Sequence, residues 1–217
     1  MLELPLFPLN TVLFPGMPLN LHIFEERYKR MMQACIESSK PFGVVLIKQG
    51  LEAHGPLAEP HEIGCTARII EMEPLGEGRM NIVALGQKRF RIISSSDQDS
   101  YLVGQVKLYP LEDTDPELLA QTGKRLYPWV KRYMDILSQA SGTDLESEHL
   151  PNDPLALAYL AAVLLQVPPT QKQTLLAAQN APEFLGDMYD LYRREVFLLD
   201  AIMTREQQAG AQLFSLN

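Results

Sequence analysis

Apolar and polar positions alternate with a period of two through most of the first 112 residues, and with a period near 3.6 afterwards. Leu2, Leu4 and Leu6 alternate with Glu3 and Pro5, and Leu19, Leu21 and Ile23 with Asn20 and His22. The spacing predicts strands. Pro5 and Pro8 point to an edge strand or a strand end, because proline cannot donate to a sheet ladder. Phe14-Pro-Gly16 is turn chemistry: Pro15 presets φ and Gly16 accepts a positive φ. Glu25 to Ser38 predicts one helix, with acidic residues in the first turn and Tyr28, Met31, Met32, Cys35 and Ile36 as its buried stripe. Phe42 to Ile47 is a continuous apolar run, as in a strand covered on both faces.

Residues 49–61 carry Gly50, Gly55, Pro56 and Pro60 and predict a surface loop. A meander follows: Ile63 to Met72, a turn over 74–78, Met80 to Leu85, Gly86 as punctuation, then Phe90 to Ile93 with Arg89 and Arg91 facing outward. A polar loop over 94–100 precedes the last strand, Tyr101 to Tyr109. Short strands joined by tight turns suggest a small barrel or folded sheet.

Helices begin at Asp113. Asp115-Pro116 is an N-cap followed by a first-turn proline, and Pro128 is expected to kink or split the helix that results. Asp153-Pro154 opens a second helix, apolar nearly all round. Thr170-x-x-Gln173 reads as a capping box for a third, and Pro182 opens a fourth whose stripe includes Leu185, Met188, Tyr192 and Val196. The tail from Gly210 is expected to be loose. The residues divide into a β-rich segment, 1–112, and a helical segment, 113–217.

Composition narrows the function. With 46% hydrophobic and 21% charged residues, a packed core is expected. The formal charge is −8, and the first 112 residues hold 11 of the 19 basic and 13 of the 27 acidic side chains. That balance disfavours nucleic acid, which needs a basic footprint. The densest basic group, Lys88, Arg89 and Arg91, reads as a solvated strand face. Cys35 and Cys65 form no metal-ligand spacing and read as buried thiols. The proline-broken N-terminus does not resemble a signal peptide, and no apolar run approaches the ~20 residues that cross a bilayer, so a cytoplasmic protein is expected.

No phosphate-binding loop or nucleophile elbow occurs: Gly123-Lys124 is followed by Arg125 and lacks the upstream glycine. His54 and His61, with Glu52, Glu59 and Glu62 nearby, form the sole candidate metal cluster, at a spacing that fits no ligand ladder. No catalytic residue, cofactor or metal ligand is assigned.

Three ordered segments carry a family resemblance. Leu4-Pro-Leu-Phe-Pro-Leu9, Phe14-Pro-Gly16 and Leu21-x-Ile-Phe-Glu-x-Arg-Tyr28 resemble the start of Lon-protease N-terminal domains. Ile63-Gly-Cys-Thr-Ala-Arg-Ile69 with Val83-x-x-Gly86-x-x-Arg-Phe-Arg-Ile92 resembles their central meander, and Gln173-x-Leu-Leu176 their helical part. The resemblance implies an α+β fold: a PUA-like pseudo-barrel with one inserted helix, followed by an α-helical bundle. It also implies a non-catalytic module that binds unfolded or degron-bearing polypeptides or a protein partner. The sequence to Asn217 contains no ATPase or peptidase module, so a free-standing form is expected. A groove between sheet and helices, lined by Leu13, Phe14, Met31 and Met32, is the expected peptide site, although a methionine pair on a buried stripe is more commonly core. RNA binding by analogy with PUA-like barrels and a metal-dependent hydrolase at His54 and His61 are the alternatives.

Overall fold

The computed structural model describes residues 1–52, 58–97, 100–112 and 115–214, with side chains described as far as Arg205. The chain divides into two compact units. Unit 1 comprises Met1–Leu111 and Gln166–Ala178; unit 2 comprises Glu112–Leu165 and Gln179–Asn217. Gln166–Ala178, helical in sequence and flanked by helices, thus groups with the strands.

Unit 1 holds six strands: β1 (Leu2–Leu9), β2 (Pro18–Ile23), β3 (Phe42–Gln49), β4 (Glu59–Gly76), β5 (Arg79–Ser96) and β6 (Leu102–Leu108). They follow the order β2-β5-β4-β3-β1-β6, and a further β5–β6 pairing closes a ring from β1 through β3, β4, β5 and β6. Helix α1 (Glu26–Ser38) is inserted between β2 and β3. This is the expected pseudo-barrel with its one inserted helix. Leu4, Leu6, Val45, Phe90, Leu102 and Val106 form one buried cluster. Gly43 and Gly64 make room for the Phe90 ring there, since a Cβ on either would stand 2.7 Å from its tip.

β1 pairs with strands on both sides, not as a simple edge. The pairings are staggered: β6 runs along Leu2–Leu6 and β3 along Leu6–Leu9. Pro5 and Pro8 therefore each face a neighbour on one side only, which a residue without an N–H tolerates. The Phe14-Pro-Gly16 turn forms as read, with Gly16 at φ +79° and the Met17 N–H donating to the Phe14 carbonyl at 3.1 Å.

β4 and β5 are far longer than the sequence pattern suggested. Gly86 does not break β5, which runs on through Ser94–Ser96, and β4 begins inside the expected 49–61 loop. The hairpin turns at Glu77 and Gly78, both at positive φ, the backbone of a two-residue turn that matches strand twist. Beyond the ring, the hairpin extends as a three-stranded layer, with β2 paired to β5 over Pro18–Ile23. Helix α1 covers one face of that layer. Its Tyr28, Met31, Met32 and Cys35 join Leu13, Ile23, Met80, Ile82 and Ala84 in the larger core cluster.

Two further sequence expectations fail within this unit. Arg89 does not face outward; it is 3% exposed, donates to the Ala178 carbonyl and lies against the Tyr109 ring. Thr170 and Gln173 form no capping box, because helix α4 spans Pro169–Ala177 and places Thr170 inside it. Buried Gln173 instead donates to the Ile63 carbonyl of β4 at 2.9 Å.

Unit 2 contains α2 (Pro116–Ser141), α3 (Pro154–Leu164) and α5 (Ala181–Phe214). α2 runs unsplit through Pro128, and α5 remains helical past Gly210, where a loose tail was expected. Leu126, Val130 and Tyr133 from α2 are buried, as are Leu157 and Ala161 from α3 and Met188 and Tyr192 from α5. The Tyr192 hydroxyl donates to the Ala161 carbonyl at 2.8 Å, so its polar end is satisfied in the core. Phe197, by contrast, is 74% exposed. The Asp115 carboxylate accepts from the Glu117 and Leu118 N–H groups. Asp115→Ala is expected to cost about 1 kcal/mol in a urea titration, the ordinary value of a lost N-cap.

Both cysteines are free and buried. Burial pushes the Cys35 thiol up to about 11 and the Cys65 thiol up to about 12, from an ordinary value of 9.0. The stabilisation linked to these thiols is intact below that ordinary value and is lost as pH rises through the two raised values. At pH about 8 neither should react with an aromatic disulfide reagent until denaturant is added. Rapid labelling of the folded protein would contradict their burial. Among the described residues, no helix is long and apolar enough to cross a membrane.

Candidate peptide-binding cleft and family relationships

Leu13, Phe14, Met31 and Met32 are 1%, 0%, 0% and 0% exposed. Leu13, Met31 and Met32 meet in one core cluster, beneath α1. The helix that carries the methionines turns them onto the sheet, so none of the four has surface to give a partner in this conformation. Of the alternative metal cluster, His54 lies outside the described residues and His61 sits on β4. Among the described residues, no group of three or more His, Cys, Asp or Glu side chains could hold a metal ion.

Two hollows flank the extended layer of unit 1. One, of about 530 Å³, lies on the face away from α1 and includes Asn20, His22, Glu71, Glu73, Asn81 and Val83. Three of its polar side chains are linked to one another: His22 Nδ1 lies 2.9 Å from Asn81 Oδ1, and Asn81 donates to Glu73 at 2.9 Å. The other is a cleft of about 190 Å³ between the C-terminal half of α1 and β4. Cys35, Ile36, Ser39 and Lys40 line it from the helix side, and Arg68 to Met72 from the strand.

The cleft exists because β4 outgrows β3. β3 pairs with β4 no further than Phe42 opposite Ala67, whereas β4 continues to Gly76 on β5. Among the described residues no strand covers the other edge of β4 from Arg68 onward. That edge carries a row of backbone donors and acceptors without strand partners. A register shift between Ile69 and Glu71 then disturbs the alternation. Ile69 packs against the core, while Ile70 is 53% and Met72 47% exposed. Leu75, farther along the same strand, is 39% exposed. The result is an exposed apolar row beside an unpaired strand edge, floored by Ile36 and Ile69.

These residues escaped the sequence reading, which placed Ile63–Met72 in an ordinary strand. A signal was available. Ile69-Ile70 puts two large apolar residues side by side, and Met72 follows between two glutamates, which no single period-two face accommodates.

Comparison with known proteins agrees with this architecture. Lon protease 2 of Myxococcus xanthus is 29% identical over 197 residues, covering 88% of this chain and 24% of the relative. Lon protease of Anaeromyxobacter dehalogenans is 28% identical over 178 residues, covering 80% of this chain and 21% of the relative. The chain thus spans about a quarter or less of those proteins. The crystal structure of a Lon N-terminal domain protein from Xanthomonas campestris superposes with a TM-score of 0.62 at 26% identity, covering 87% of this chain and 97% of that one. The N-terminal domain of Mycobacterium avium complex Lon protease shares the fold, with a TM-score of 0.63 at 21% identity over 88% of this chain and 98% of that one. With residues 3–193 matching the family model, this chain belongs to the family of the substrate-binding domain of ATP-dependent protease La (LON).

Proposed function

We propose that this chain is a non-catalytic module that captures exposed apolar, extended segments of unfolded or degron-bearing polypeptides. Capture occurs at the cleft between α1 and β4. The observation that carries this reading is the pairing of an exposed apolar row, Ile70 and Met72, with the open edge of β4. An extended peptide laid along that edge continues the sheet. Main-chain hydrogen bonds supply sequence-tolerant affinity, and the hollow takes alternate side chains. Flexible Met72 adapts to differently shaped side chains. Membership of a substrate-binding family supports the same reading.

Burial of about 100 Å² of apolar surface per side chain contributes roughly 2.5 kcal/mol. Ile70→Asp combined with Met72→Asp is therefore expected to weaken binding of a labelled, unstructured casein peptide at least about tenfold. Both side chains are exposed, so far-UV circular dichroism should be unchanged. Fluorescence anisotropy measures the binding, and undiminished affinity in the folded double variant would remove the cleft from consideration.

A further inference from the structure

We infer that the segment this cleft takes carries an acidic residue at one end of its apolar stretch. The inference rests on the cleft being the peptide site. Five basic side chains of unit 1 are already paired: Arg27 with Glu25, Lys29 and Arg30 with Glu26, Lys48 with Glu59 and Arg79 with Glu77. Lys88, Arg91 and Lys107 form no ion pair among the described residues but do not line the cleft. Lys40 and Arg68 differ. Both line the cleft and are exposed, and neither forms an ion pair among the described residues. Arg68 is the first residue of β4 beyond its pairing with β3, and Lys40 follows the end of α1, so the two cations stand at the same end of the open edge.

Two other charges bear on that end. Arg68 and Glu71 both line the cleft from strand positions that pair in the row turned away from α1, Arg68 with Leu85 and Glu71 with Val83. These two offset one another, and Lys40 leaves one positive charge in excess. The last carbonyls of α1 carry partial negative charge, and those of Cys35 and Ile36 are capped by the Lys40 and Ser39 N–H groups. The local balance is therefore positive on a chain whose net charge is −8. This makes the inference discriminating. The whole-chain charge favours basic peptides, whereas the cleft favours acidic ones. With a screening length of about 8 Å in physiological salt, the adjacent side chains dominate.

The test measures anisotropy of two labelled peptides on the full chain. Both share one extended apolar core, flanked by aspartate in one and by lysine in the other. The aspartate peptide is expected to bind about threefold more tightly, the scale of one exposed charge pair. The preference should shrink with added salt and reverse in the double variant Lys40→Glu, Arg68→Glu. Equal affinities, or tighter binding of the lysine peptide, overturn the charge preference. The cleft itself survives that result if both peptides still lose affinity in the Ile70→Asp, Met72→Asp variant. If neither peptide binds, if that variant changes nothing, or if the chain sediments as a dimer that peptide does not dissociate, both readings fall.

Discussion

Phe14→Ala is expected to lower the stability of unit 1 by about 3–5 kcal/mol. Phe14 is 0% exposed and is among the largest fully buried side chains of the protein. It sits in the loop between β1 and β2, where its own carbonyl closes the Pro15-Gly16 turn. The turn fixes the backbone, so the surroundings cannot collapse far into the space the ring leaves. The loss therefore includes both the transfer energy of the ring and a cavity term. Against a typical total of about 5–15 kcal/mol for a domain, such a loss brings unit 1 close to unfolding. The measurement needs the right signal. The single tryptophan, Trp129, belongs to unit 2, so its fluorescence reports on that unit; far-UV circular dichroism or amide exchange in the strands reports on unit 1. Peptide affinity of the folded fraction should be unchanged, because Phe14 presents no surface. A variant with wild-type stability and lost binding would restore Phe14 to the peptide site.

That contrast shows where the sequence was legible. Local chemistry could be read directly: the Phe14-Pro-Gly16 turn, the stripe of α1, the Asp115 and Asp153 caps, and two free buried thiols. Each of these is decided within a few residues of chain. The site was not legible, because exposure is decided by what covers a residue. Leu13 and Ile70 are equally apolar in sequence, but the first lies in the core beneath α1 and the second on a strand that has outrun its neighbour. Arg89 shows the same limit with the opposite sign. Alternation marked it as outward, and the Ala178 carbonyl, distant in sequence, draws it in. Gln173 likewise matched a local capping pattern while its partner, Ile63, lay on β4. In each case a contact between remote segments overrode a correct local rule.

Gly86→Ala provides the second large effect, and its sign is decisive. A Cβ at Gly86 would stand 2.2 Å from the Phe14 carbonyl oxygen and 3.1 Å from Leu13 Cγ. Gly86 is held in place by its N–H, which donates to the Met17 carbonyl, and by its carbonyl, which accepts from the Gly16 N–H, both at 2.9 Å. The obstructing atom is backbone, so no side-chain rotation relieves the clash; the turn must lift off β5 and break those bonds. A loss of about 3 kcal/mol or more is expected, at or beyond the upper end of overpacking costs. Gly86 is not among the glycines with positive φ. Backbone strain therefore contributes nothing, and by unfolded-chain entropy alone alanine would stabilise the protein by about 0.4–1 kcal/mol. Gly76→Ala supplies the control. That residue has φ +82° with no atom within 4 Å of its would-be Cβ, so only conformational strain of about 1–2 kcal/mol applies. Urea titration followed by circular dichroism should rank Gly86→Ala well below Gly76→Ala in stability. The reverse order, or a stabilised Gly86→Ala, would mean that the turn does not rest on β5 and that the floor beneath Phe14 is built differently.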